Sequence, residues 1–104
     1  MAIYDFRTET IFPKTKTVSI TGNYSKIIVP SQVGRIQIGC HNHAIYVNTE
    51  VSEGDVGSIT NSVFVPSGNL YYHRIGRGSS RNNEFYVALQ SAGTKDVSLT
   101  LEEL

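Results

Sequence analysis

The chain has 104 residues, 39% of them hydrophobic and 17% charged, and its formal net charge is zero. A chain of this length forms one domain with a real core, and its single cysteine, Cys40, excludes an internal disulfide. A net charge of zero provides no electrostatic field that would attract polyanions or acidic lipids, so we expect no nucleic-acid or membrane partner. The sequence shows no secretory leader and no apolar run of about 20 residues, so we expect a soluble protein made in the cytoplasm.

Apolar and polar residues alternate in segment after segment, which is typical of strands with one buried face. In chain order the alternation predicts strands at 17–21, 25–29, 34–40, 43–49, 58–65, 69–75, 84–90 and 96–102. Cys40 follows Ile36 and Ile38 in this alternation, so we expect a small buried side chain there. Turn residues such as Gly22-Asn23 separate the strands. The spacing predicts an all-β protein: a single antiparallel two-layer β-sandwich of 7–8 strands, either jelly-roll or immunoglobulin-like.

Residues 1–16 fit the alternation poorly, because Ile3, Tyr4 and Phe6 are followed by charged and hydroxyl residues. Two alternatives remain open for this segment. It packs back as an edge strand, or it reaches a neighbouring subunit as an extended arm. The predicted organisation is therefore an N-terminal arm or edge segment, 1–16, and a β-sandwich domain, 17–104.

The sharpest candidate for a site is the sequence His-Asn-His. Alternate residues of a strand share a face, so His41 and His43 could ligate one transition metal ion, with His73 as the third nitrogen ligand. The same alternation places His41 and His43 on the face of Ile45 and Val47. In that arrangement the two histidines would lie at the solvent-exposed end of the buried face and would not bind a metal.

The segment around these histidines resembles part of the cupin family. The matching residues are Gly34, His41, His43, Glu50 and Gly54, followed by Pro66, Gly68 and His73. The resemblance implies a metal-binding jelly roll that acts as an enzyme or as a small-ligand binder. The spacing differs from that of the family, however, because Glu50 stands seven residues beyond His43.

Three arginines mark a second candidate site between two predicted strands. Arg74, Arg77 and Arg81 stand in or beside a loop rich in glycine, serine and asparagine. Guanidinium groups bind carboxylates and phosphates through paired hydrogen bonds. The alternative is a polar hairpin loop without a ligand, and for a functional loop we expect contact with protein rather than nucleotide.

Tyrosines are the third feature. Alternation places Tyr46 and Tyr86 on the outer faces of the sheets, where aromatic rings favour protein interfaces or sugar stacking. The sequence has no Gly-x-Ser-x-Gly motif, and its acidic residues cluster in predicted turns and at the C-terminus. We therefore expect no enzymatic activity and no resident cofactor.

The overall pattern resembles small virion proteins of tailed bacteriophages. The residues that carry this resemblance are the N-terminal segment, the strand at 62–65 closed by 66–68, the segments 72–76 and 85–90, and the final strand at 97–101. The resemblance implies a capsid decoration or cement protein in the virion, bound to capsid subunits as a homo-oligomer or a lattice. It assigns partner contacts to Tyr4, Phe6 and Arg7 of the arm and to Arg74, Arg77 and Arg81. A carbohydrate-binding module that uses the outer tyrosines is a third alternative.

Overall fold

The chain forms nine strands and no helix in the residues that the computed structural model describes, 2–40, 42–48, 62–74 and 84–103. The strands are β1 (Ile3–Asp5), β2 (Lys14–Thr21), β3 (Ser25–Ile28), β4 (Val33–Gly39), β5 (Ile45–Asn48), β6 (Val63–Val65), β7 (Leu70–Arg74), β8 (Glu84–Leu89) and β9 (Thr94–Glu103). Each predicted strand has a counterpart, although 49, 58–61 and 75 lie outside the described residues. The all-β prediction is confirmed.

The strands form a five-stranded sheet in the order β1-β3-β8-β5-β6 and a four-stranded sheet in the order β2-β9-β4-β7. Every pairing is antiparallel except that of β1 with β3. Across β2 to β9, the first strand pairs with the last, the second with the second last, and so on inward. A long antiparallel ribbon rolled into a sandwich has this order, which is that of a jelly roll. The predicted two-layer sandwich is confirmed, and the pairing order selects the jelly roll over the immunoglobulin-like alternative.

The core lies between the sheets and is built from the alternating apolar residues. Ile36 and Ile38 of β4 stand in register with Leu101 and Leu99 of β9, and all four side chains are fully buried. Burying an isoleucine or leucine stabilises a fold by roughly 1.5–3 kcal/mol. Cys40 is buried beside this cluster as predicted, and its desolvation raises the pKa of the thiol.

The N-terminal segment takes the edge-strand alternative over residues 3–5. β1 pairs with β3 in parallel, with Ile3 opposite Lys26. The Tyr4 hydroxyl donates a 2.7 Å hydrogen bond to the carbonyl oxygen of Ser19, which lies in the other sheet. Tyr4 and Phe6 also pack against the core. One side of the sandwich is therefore closed by β1 and β2 together.

β2 begins at Lys14, so residues 14–16, which the sequence assigns to the N-terminal segment, pair with β9 in the structure. Lysines occupy the inward positions at the start of β2. A search for alternating hydrophobic residues does not detect them. Glu9 forms ion pairs with Lys14 and Lys16, and the Lys16 ammonium lies 5.8 Å from the centre of the Phe6 ring. The lysine stems thus cover apolar surface while their charged ends are paired.

We expect Tyr4→Phe to lower the free energy of unfolding by about 0.5–1.5 kcal/mol, because it removes the hydrogen bond that ties β1 to β2. The matched control is Ile3→Ala, whose side chain points outward and is 62% exposed. We expect the control to change stability by less than about 0.5 kcal/mol. Urea unfolding measures both variants, and equal stability of Tyr4→Phe and the wild type would contradict the assignment of β1.

Candidate functional site

The predicted three-histidine site lies only partly within the described residues, because His41 is outside them. His73 points inward from β7, in register with the buried Ile36. Its ring stacks on that of Tyr71, with ring centres 6.3 Å apart and planes at 14°. Burial lowers the pKa of His73. These are the surroundings of a packed aromatic side chain.

His43 lies in a bend before β5, on the way into the other sheet, and is half-buried. Leu70, at the start of β7, stands opposite Gly39, the last residue of β4. The chain leaves β4 toward His43 beside Leu70. His73 lies three residues beyond Leu70 on β7, a separation of about 10 Å along the strand. Within the described ranges, no group of three possible metal ligands gathers in one place. With one ligand outside those ranges, the metal site stays a prediction.

Only the first of the three predicted arginines, Arg74, falls within the described residues. Arg77 and Arg81 lie outside them. Arg74 is the last residue of β7, exposed on the outer face and directly opposite Arg35 of β4. The Arg35 Nε atom lies 3.1 Å from a carboxylate oxygen of Glu102, and its guanidinium lies 4.7 Å from the centre of the Tyr72 ring. The structure thus brings together two arginines, a carboxylate and an aromatic ring.

The predicted arm residues have different surroundings. Tyr4 and Phe6 make the internal contacts described above, whereas Arg7 is exposed. The Arg7 guanidinium donates to both carboxylate oxygens of Asp5, at 2.6–3.0 Å. These hydrogen bonds lower the pKa of Asp5 and hold the arginine in one orientation at the surface. The charge of Arg7 is therefore already paired within β1 and the turn that follows it.

Tyr46 and Tyr86 face outward as alternation predicts, but neither is fully exposed. Tyr46 packs against Phe64, with ring centres 5.5 Å apart, and Tyr86 is only 4% exposed. Tyr24 reaches toward β6, where its hydroxyl lies 2.6 Å from that of Ser62. Tyr72 is the one exposed tyrosine of the six, all of which are described.

Sequence reasoning missed where the exposed large apolar side chains lie. They occur on the edge strands of both sheets or just before one: Ile3, Ile11, Val63, Phe64, Leu70 and Tyr72. Alternation cannot tell an edge strand from a central one, because strand order depends on distant pairings. The only available signal was that Ile3 and Ile11 stand outside any alternating run.

Comparison with models of known protein families, with curated proteins and with solved structures finds no match for the chain. In the part of the chain that the structure describes, no helix has the length and apolar character needed to cross a bilayer. The assignment of a function therefore depends on the chain's own residues.

We expect protein purified without a histidine tag to contain no stoichiometric transition metal, because His73 packs against Tyr71 and no group of three possible ligands forms among the described residues. Mass spectrometry of metals on the wild type, His43→Ala and His73→Ala measures this directly. One equivalent of metal in the wild type, lost in both variants, would contradict the expectation and support the cupin-like alternative.

Stability should also depend on pH through His73. Because its pKa in the folded protein lies below the ordinary value of 6.5, the unfolded chain takes up a proton first as the pH falls. The free energy of unfolding should therefore decrease as the pH drops below 6.5, and this contribution should be absent above it. Urea unfolding at about pH 7.5 and about pH 5.5 should show a smaller decrease for His73→Phe than for the wild type. An identical decrease in both would contradict the prediction.

Proposed function

We propose that the chain is a non-enzymatic structural protein of a larger particle, in which it binds neighbouring protein subunits through the edges of its sandwich. Following the resemblance to small virion proteins, we propose that the particle is a phage virion, made in the host cytoplasm, and that the chain decorates or cements its capsid. The observation that carries this proposal is the position of the exposed apolar side chains on the edge strands.

The first side of the sandwich consists of β1 and β2, which Tyr4 ties together. Ile3 is 62% exposed on β1, and Ile11 is 74% exposed just before β2. Arg7 lies in the turn after β1, where its guanidinium pairs with Asp5. β1, the turn and the residue before β2 therefore present two large apolar side chains and one exposed ion pair.

The second side consists of β6 and β7, which a short turn at 66–69 joins. Val63 and Phe64 of β6 are 42% and 45% exposed, and Leu70 of β7 is 54% exposed. Arg74 ends β7 on this side. The proposal extends to Arg77 and Arg81, which follow in the sequence but lie outside the described residues.

Natural proteins usually protect edge strands with charges, prolines or covering segments, because an open edge invites pairing with another chain. Apolar side chains on such strands make sense where a partner covers them, and burying one isoleucine or phenylalanine is worth roughly 1.5–3 kcal/mol. Because two different sides of the sandwich expose apolar side chains, each copy could contact one neighbour through each side, as a lattice requires. Several copies together can thus bind firmly through individually small contacts.

We expect an antibody raised against the recombinant chain to label phage particles purified from lysates of the source culture, at many copies per particle. Absence of the chain from every particle fraction, with the protein recovered only in the supernatant, would contradict the proposal.

Rebinding to particles that lack the chain tests the contact residues. Ile3→Lys and Phe64→Lys should each weaken binding by about tenfold or more, because each replaces apolar area in the proposed contact with a charge. Ser91→Lys, in the exposed turn before β9, is the matched control and should bind like the wild type. Unchanged binding by both edge variants would exclude the edges as the contact.

A further inference from the structure

The outer face of the four-stranded sheet carries an unusually regular set of polar groups. The outward residues of β2 are all hydroxyl residues: Thr15, Thr17, Ser19 and Thr21. They stand in register with Thr100, Ser98, Asp96 and Thr94 of β9. The Thr15 and Thr100 hydroxyl oxygens lie 3.1 Å apart, and Ser19 donates to the Asp96 carboxylate at 3.1 Å. This half of the face offers hydrogen-bond donors and acceptors but little apolar area.

The other half of the same face, on β4 and β7, adds apolar and aromatic surface. Gln37 stands opposite Tyr72, which is 50% exposed, and Gly39 stands opposite Leu70. Because Gly39 has no side chain, a depression of about 160 Å³ opens beside it, lined also by Ser98 of β9. A Cβ atom at Gly39 would lie 2.8 Å from Cδ2 of Leu70. The glycine thus keeps a recess between an apolar side chain and a row of hydroxyls.

Two arginines meet at one end of this face. Arg35 and Arg74 are directly opposite each other on β4 and β7, where side chains on one face start about 5 Å apart. Like charges in that position destabilise a sheet. Glu102 pairs with Arg35 from the β9 side, and among the described residues no ion pair joins Arg74. The end of the face therefore has one positive charge in excess, beside the ring of Tyr72.

We propose that this face binds an acidic glycan. A uronic acid carboxylate would pair with Arg74 and relieve its repulsion with Arg35, since guanidinium and carboxylate match in charge and in planar geometry. The sugar ring would lie against Tyr72 and Leu70, because an aromatic side chain offers apolar area together with a hydroxyl. Gln37 and the hydroxyl row would bind the remaining sugar hydroxyls. The density of hydroxyl partners favours a glycan over an acidic polypeptide, and the inference does not depend on the proposed virion role.

Isothermal titration calorimetry at low ionic strength tests this binding, with hexagalacturonate and a hyaluronan hexamer as acidic probes. Cellohexaose is the neutral probe, and polyglutamate is the acidic polypeptide. We expect at least one acidic hexamer to bind the wild type in a salt-dependent manner, with cellohexaose and polyglutamate bound at least about tenfold more weakly. Failure of both acidic hexamers to bind, equal binding of cellohexaose, or equal binding of polyglutamate would each overturn the proposal.

Variants locate the site. Arg74→Gln and Tyr72→Ala should each weaken binding of the acidic hexamer by about tenfold or more. Both residues are exposed, so both variants should remain folded at the temperature of the binding measurement, which thermal unfolding checks. The matched control is Phe64→Ala, which removes an exposed aromatic ring from the other sheet and should leave binding unchanged. Acidic-hexamer binding that survives in Arg74→Gln and Tyr72→Ala would place the glycan elsewhere and overturn the proposal.

Discussion

The pairing of β2 with β9 is the interaction on which the rest of the structure depends. It joins eight residue pairs between the first strand of the rolled ribbon and the last, from Lys14 opposite Leu101 to Thr21 opposite Thr94. Because β9 also pairs with β4, one register sets which residues face inward on three strands. A slip of one residue would turn Val18 and Ile20 outward and bring threonines into the core. The contrast between an apolar inner face and a hydroxyl outer face makes that slip costly.

The two sheets use their outer faces differently, although the same alternation builds both. On the five-stranded sheet the outward residues of the central strands β8 and β5 are covered, because Tyr86 and Ala88 are at most 4% exposed and Tyr46 packs against Phe64, whereas Ile3 and Phe64 on the edge strands are exposed. On the four-stranded sheet the outward residues of β2 and β9 are polar, and all but Glu102 are short. The exposed apolar area of the second sheet lies on its edge strand β7, beside the hydroxyl-rich part of that face. The proposed ligand face and the proposed protein contact therefore share Leu70 and Arg74 of β7.

Much of this fold could be predicted from the sequence, because a period of two residues is a local property. Alternation located eight of the nine strands and the inward position of Cys40. It missed the three-residue β1, which is too short to show a period. It also missed the inward positions of Lys14 and Lys16, because lysine counts as polar although its aliphatic stem can be partly buried. It also could not choose between jelly-roll and immunoglobulin-like topologies, because that choice depends on which distant strands pair.

The candidate site shows the same limit at the level of single residues. Sequence reasoning selected Arg74 for its residue type, but its importance comes from Arg35, which lies 39 positions earlier and stands opposite only through the register of β4 with β7. Register likewise places His73 beside Tyr71 on the inner face, while Tyr72 and Arg74 alternate to the outer one. Exposed ion pairs contribute little to stability, about 1 kcal/mol or less each. Their main effect on this surface is to determine which charged side chains remain unpaired and able to bind a ligand. Asp5 engages Arg7 and Glu102 engages Arg35, whereas Arg74 stands opposite the like charge of Arg35, and an anion that pairs with Arg74 would offset that repulsion.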